Sequence, residues 1–190
     1  MIMFKTMGGM VNASDQLIQH KLDILGNTII NEGIAIVGLA EINSNWSKIP
    51  IEENIYNRTG EWLKKIRIST SYNRVSNYDG PFQTAGTAIM VVHEVSGRVV
   101  AIGQEFRILG RCSLILMQLN INVRTIIITI YWPTVRDSSG GSYIQQLKAF
   151  AIMKIQSDPS TQFWVDLNTE TLKWKHQGEK DVLMGYWNSE

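Results

Sequence analysis

Ile34-Ala35-Ile36-Val37-Gly38-Leu39-Ala40 is an almost unbroken apolar run, and it ends on a carboxylate, Glu41. A strand with one face in solvent alternates apolar and polar residues. A run without alternation fits a strand covered on both faces. Upstream, Ile18, Leu22, Leu25 and Ile29 recur at helical spacing on one face, with Ser14 placed to cap the helix start and Gly33 to end it. Before that helix, residues 3–11 read as a short first strand carrying Gly8-Gly9. Strand, helix and buried strand in succession open a mixed α/β plan.

Downstream, residues 43–60 read as a loop with a short helix near Glu52–Tyr56. Ile66 to Tyr72 alternates like a strand, and residues 73–85, with Gly80-Pro81, form a loop. Gly86 to His93 and Arg98 to Ile102 read as two strands joined by a short turn. Ser113–Leu119 and Thr125–Tyr131, separated by Asn120-Ile121-Asn122, read as a hairpin. A helix follows Gly140-Gly141, carrying Tyr143, Leu147 and Phe150, and Asp158-Pro159 breaks it. A second helix holds Phe163, Leu167 and Trp174 in phase and ends near Gly178. Asp181–Gly185 is a last short strand.

A chain of 190 residues, 44% hydrophobic and 18% charged, suits one globular domain, taken as 1–190, and not a disordered segment. A net charge of +1 argues weakly against a protein that grips DNA by charge alone. Cys112 is the single cysteine, so neither an internal disulfide, a disulfide-linked partner nor a cysteine-rich zinc site is expected. Residues 1–10 lack the apolar run of a secretion signal, and no segment reaches the length of a membrane span. The expected location is intracellular, cytoplasmic or nuclear, with no membrane partner.

Three features close strands: Glu41, Tyr131-Trp132-Pro133, and Gly185-Tyr186-Trp187-Asn188. Strand ends in a layered α/β domain are where loops bring functional groups together. A carboxylate there suits Mg²⁺, which takes one or two carboxylates and leaves the remaining positions to water and phosphate.

The series Leu39-Ala40-Glu41-Ile42-Asn43, Gly86-Thr87-Ala88-Ile89, Tyr131-Trp132-Pro133 and Leu183-Met184-Gly185-Tyr186-Trp187-Asn188 resembles, in order and spacing, the endonuclease/exonuclease/phosphatase superfamily. Its retrotransposon-type endonuclease branch is the most similar. The resemblance implies a four-layer αββα sandwich of two packed mixed β-sheets flanked by helices. It also implies metal-dependent phosphodiester or phosphomonoester hydrolysis, with the metal as Lewis acid. By position, Glu41 would be the Mg²⁺ ligand, Tyr131 would contact the scissile phosphate, and Asn188 would orient water or phosphate. DNA would be the partner.

Three departures from the family pattern predict a weak or inactive enzyme. Thr6 stands where the first strand's asparagine is expected, and threonine lacks the amide donors. Tyr186 stands where the base aspartate is expected, and a phenol with a pKa near ~10 cannot act as a carboxylate base at neutral pH. A later aspartate–histidine segment has no counterpart before Glu190, so the domain reads as incomplete, with an exposed sheet edge. The alternatives are a non-catalytic relic or binding domain, or a phosphomonoesterase or phospholipid phosphodiesterase.

Weaker candidates complete the reading. Lys64-Lys65 with Arg67 is a DNA-facing strip or, preferably, a solvated patch. Arg111 and Arg136 are possible phosphate contacts. His20, His93 and His176 read as structural. Asp166-Leu167-Asn168 is a rival for the catalytic turn, disfavoured because helical phase runs through it.

Overall fold

Every residue of β2 (Ile36–Ala40) is buried, and its alternate side chains enter different cores. Val37 and Leu39 pack with Leu22, Leu25 and Ile29 of helix α1 (Asp15–Asn31), while Ile36 packs with Ile115, Met117 and Ile127 from a second sheet. Burial on both faces explains the unbroken apolar run. The structure, a computed structural model, describes residues 1–9, 15–60, 63–75, 81–104, 107–133, 141–175 and 178–186. The reading of Ser14 as a helix cap lies outside them. Gly33 ends α1 as expected. Its φ of +60° lets its N–H reach Ile30 O and that of Ile34 reach Ile29 O, which closes the free carbonyls of the last turn.

Around β2 the first sheet adds β1 (Ile2–Thr6), β3 (Ile66–Ser71) and β4 (Thr87–Val92), in the order β1-β2-β4-β3. The second sheet comprises β5 (Val99–Gln104), β6 (Cys112–Asn120), β7 (Val123–Tyr131) and β8 (Lys180–Tyr186), in that order. Each sheet is mixed, with one parallel edge pair: β1 with β2 across α1, and β7 with β8 across α3 (Ser142–Met153) and α4 (Pro159–Lys175). The layers are α1, first sheet, second sheet and α4. Leu114, Leu116, Ile126 and Ile128 on the outer face of the second sheet receive Phe163 and Leu167 of α4. This is the four-layer α/β sandwich expected from the sequence.

The sheets approach closely at Gly38. A Cβ there would lie 2.5 Å from Thr129 Oγ1 and 2.9 Å from Met184 Cε, so only glycine fits. The approach locks β2 against β7 and β8 two residues before each of them ends.

Some element boundaries differ from expectation for local reasons. The first strand ends at Thr6, because Gly8 (φ +58°) and Gly9 (φ +90°) turn the chain away. The helix expected near Glu52–Tyr56 is α2 (Ile55–Gly60), which starts later because Asn54 Oδ1 accepts the Asn57 N–H as a cap. The strands about 86–93 and 98–102 belong to different sheets, linked by a 3-10 turn at His93–Arg98. Asp158-Pro159 starts α4: Asp158 Oδ1 accepts the Thr161 N–H at 2.9 Å, and its other oxygen accepts the Tyr143 hydroxyl. Burial opposes the Asp158 charge, but these bonds outweigh it and hold the carboxyl below its usual range.

Candidate functional site

Strand register gathers the predicted residues. Thr6 pairs with Ala40 in the first sheet, and Ala40 pairs with Thr87. Tyr131 pairs with Tyr186 at the matching end of the second sheet. Between the sheets, Tyr131 packs against Ala40, Ala85 and Phe4. Glu41, the residue after Ala40, therefore lies at the same end of the sandwich as Tyr131 and the backbone of position 186. Thr6 is exposed and Glu41 half-buried there. Tyr131 is 9% exposed, so most of its ring closes the inter-sheet core, and its hydroxyl accepts from Ser142 Oγ at 3.2 Å. Asn188 lies outside the described residues, as do Arg136 and His176.

The backbone at this end is held in uncommon conformations. Glu41 (φ 54°), Asn43 (φ 55°) and Ala85 (φ 73°) are left-handed without being glycine. Such geometry costs roughly 1–3 kcal/mol per residue and persists only where surrounding structure enforces it. The enforcing bonds are Gly9 N–H to Glu41 O (2.8 Å), Asn43 N–H to Ala85 O (2.7 Å) and Ile42 N–H to Gly86 O (3.3 Å). Glu41 is thus gripped from the loop after β1 and, through its neighbours, from the loop before β4. Gly86, at φ +88°, completes the second grip.

Sequence reasoning missed two participants. Lys21 of α1 donates to the carbonyls of Met7 (3.0 Å), Gly8 (3.3 Å) and Gly9 (2.7 Å), tying down the loop that holds Glu41. In sequence it is an ordinary exposed helix lysine, and nothing signals the role. Ser142, which holds the Tyr131 hydroxyl, opens α3, and only its place after Gly140-Gly141 hinted at a helix start.

One weaker reading is corrected, and the rejection of another stands. Arg111 is not a phosphate contact: it is fully buried, stacked over the Phe163 ring, and its guanidinium donates to Asp166 Oδ2 at 2.6 Å. Asp166 is not a catalytic turn residue, because it lies within α4 and also accepts from Arg107 (2.7 Å) and Gln162 (2.8 Å). Burial alone would raise its pKa, but the bonds from Arg111, Gln162 and Arg107 hold its carboxyl below the usual range. Lys64, Lys65 and Arg67 sit at the far end of β3, away from Glu41, and Lys65 pairs with Glu94 in solvent. His20 and His93 are exposed.

Among the described residues, no three His, Cys, Asp or Glu side chains gather to hold a metal ion. The donor set at this end would fit a divalent cation only as a site shared with a phosphate, where Glu41 would give one carboxylate oxygen and the ligand and water the rest.

No protein-family model matches the sequence, and no curated protein matches it. Solved structures do match. The architecture is the fold of the endonuclease/exonuclease/phosphatase superfamily. It is similar to the catalytic domain of APE2 from Xenopus laevis, with a TM-score of 0.55 and 12% identity over 99% of this chain and 58% of that one. It is also similar to the 3'-5' exonuclease NExo from Neisseria meningitidis, with a TM-score of 0.54 and 16% identity over 98% and 57%. A family protein from Leptotrichia buccalis gives a TM-score of 0.50 and 13% identity over 82% and 63%. The chain spans about three fifths of the length of these structures.

Proposed function

We propose that the chain is a DNA-binding relative of the metal-dependent nucleases of this fold, derived from a retroelement endonuclease, with a weakened hydrolytic site. The supporting observation is the meeting of Glu41, Thr6, Tyr131 and position 186 at one end of the two sheets. In this reading Glu41 holds Mg²⁺ against a phosphate oxygen, Tyr131 borders the scissile phosphate, and Asn188 orients phosphate or water. Tyr186 supplies no carboxylate base, and loss of a placed base lowers rate by about 10²–10⁴. Thr6 further weakens the hold on phosphate.

DNA as the ligand is supported by the motif series and by the solved NExo variant, whose structure holds a product DNA hairpin. The test is Mg²⁺-dependent nicking of supercoiled DNA together with DNA binding. Little nicking is expected, with Mg²⁺-dependent binding that weakens in Glu41→Ala. Tyr186→Asp alone should restore little and Tyr186→Asp with Thr6→Asn more, since groups acting as a unit are not additive. Clear nicking by the natural chain that vanishes in Glu41→Ala would show that the site is intact, and binding unaffected by Glu41→Ala would remove Glu41 from it.

A further inference from the structure

We infer that Lys21 is the positioning residue for Glu41: it fixes the loop after β1, and that loop fixes the backbone that aims the carboxylate. Its ammonium donates to three successive carbonyls, those of Met7, Gly8 and Gly9. Gly8 and Gly9 both have positive φ, so this loop has much conformational freedom to lose and needs an external tie. With the tie in place, the Gly9 N–H meets Glu41 O at 2.8 Å. Glu41 has a φ of 54°, which a non-glycine residue keeps only when its neighbours hold it. The bonds to Gly86 and Ala85 act on Ile42 and Asn43, whereas the Gly9 bond acts on Glu41 itself. A lysine suits the task because a compact ammonium has donors for three oxygens at once. This rests on Glu41 being a metal ligand, where groups behind the ligand set its aim.

The test uses the whole chain, labelled for amide NMR, as wild type, Lys21→Met and Lys21→Arg. In Lys21→Met the Gly9 amide should exchange about tenfold faster, while the amides of Ile36–Ala40 keep their protection and report an intact fold. Titration with Mg²⁺ in the presence of saturating inorganic phosphate, read at the Glu41 and Ile42 amides, should show binding about tenfold weaker in Lys21→Met and partly rescued in Lys21→Arg. Unchanged Gly9 exchange in Lys21→Met overturns the tie. Faster Gly9 exchange with unchanged Mg²⁺ affinity overturns the positioning role and leaves the metal reading standing. Absence of any Mg²⁺ response at Glu41 in the wild type with phosphate present overturns the metal reading itself, and the positioning role with it.

Discussion

Beneath α1 the first sheet meets Leu22, Leu25 and Ile29, each fully buried against Val37, Leu39 and Met90. Beneath α4 the second sheet meets Phe163 and Leu167 on one side of the helix. On the other it meets an ionic cluster in which Asp166 joins buried Arg111 to Arg107. Both seams attach a helix to a four-stranded sheet. The apolar seam tolerates any order of contact and weakens in proportion to area removed. The ionic seam is sensitive to the loss of one member, because a charge left in the interior without its counter-charge is costly. The second helix is thereby fixed in register as well as attached, close to Tyr131, whose N–H donates to Arg111 O at 2.8 Å.

The sharpest way to break this comparison is Asp166→Ala. It leaves Arg111, with a fully buried side chain, without its carboxylate. The expected loss is about 3–5 kcal/mol in urea unfolding. A double replacement, Arg111→Met with Asp166→Leu, should cost clearly less than Asp166→Ala alone, since the fully buried charge of Arg111 is then gone and the remaining Arg107 is part-exposed. If the double variant is the worse of the two, the stranded charge of Arg111 is not what makes Asp166→Ala costly.

Leu25→Ala probes the other seam. Leu25 is fully buried between α1 and the first sheet, and truncation should cost about 2–4 kcal/mol, through lost contact and the cavity left behind. That cost should be the same at neutral and acid pH. A much smaller loss would mean that α1 collapses onto the sheet and that its seam is not close-packed.

Acid separates the seams further. Asp166 has its folded pKa held below the usual value, so its contribution to stability is present above the unfolded carboxylate range and is lost as pH falls through the folded value. From about pH 4 downward, the gap between wild type and Asp166→Ala should therefore narrow. The gap for Leu25→Ala should stay constant. A gap for Asp166→Ala that persists undiminished at the acid limit would show that packing, and not charge, sets its size.

These seams also explain what was legible in the sequence. A strand covered on both faces needs an unbroken apolar run, so β2 announced itself in Ile34–Ala40, and the phase of Ile18, Leu22, Leu25 and Ile29 marked the face of α1. Glu41 and Tyr131 were found as strand-closing residues, and register brought their strands' ends together. The ionic seam was not legible. Arg111 and Asp166 are 55 positions apart, and nothing in the sequence marks the possible phosphate contact Arg111 and the disfavoured turn residue Asp166 as each other's partner. Nor was the left-handed backbone at Glu41, Asn43 and Ala85, which arises from bonds to loops remote in sequence. Lys21 belongs to the same class: its three acceptors are backbone carbonyls, which every residue possesses and no pattern marks.

The smallest expected effect lies in the third seam, between the sheets. Thr129 is fully buried on β7, and its Oγ1 has no hydrogen-bond partner among the described residues. It lies where a side chain at Gly38 would collide with it, so the two sheets approach closely at this point. A hydroxyl taken out of water without a partner carries a desolvation cost, and valine keeps the β-branched shape without the polar atom. Thr129→Val should therefore be neutral or stabilising, by up to about 1 kcal/mol, read as a raised urea midpoint with an unchanged slope. Gly38→Ala should act in the opposite direction, because its Cβ would sit 2.5 Å from the same oxygen and 2.9 Å from Met184 Cε. If Thr129→Val destabilises by more than about 1 kcal/mol, the hydroxyl makes a bond that holds the sheets together. The inter-sheet seam would then belong with the ionic layer under α4 and not with the apolar layer under α1.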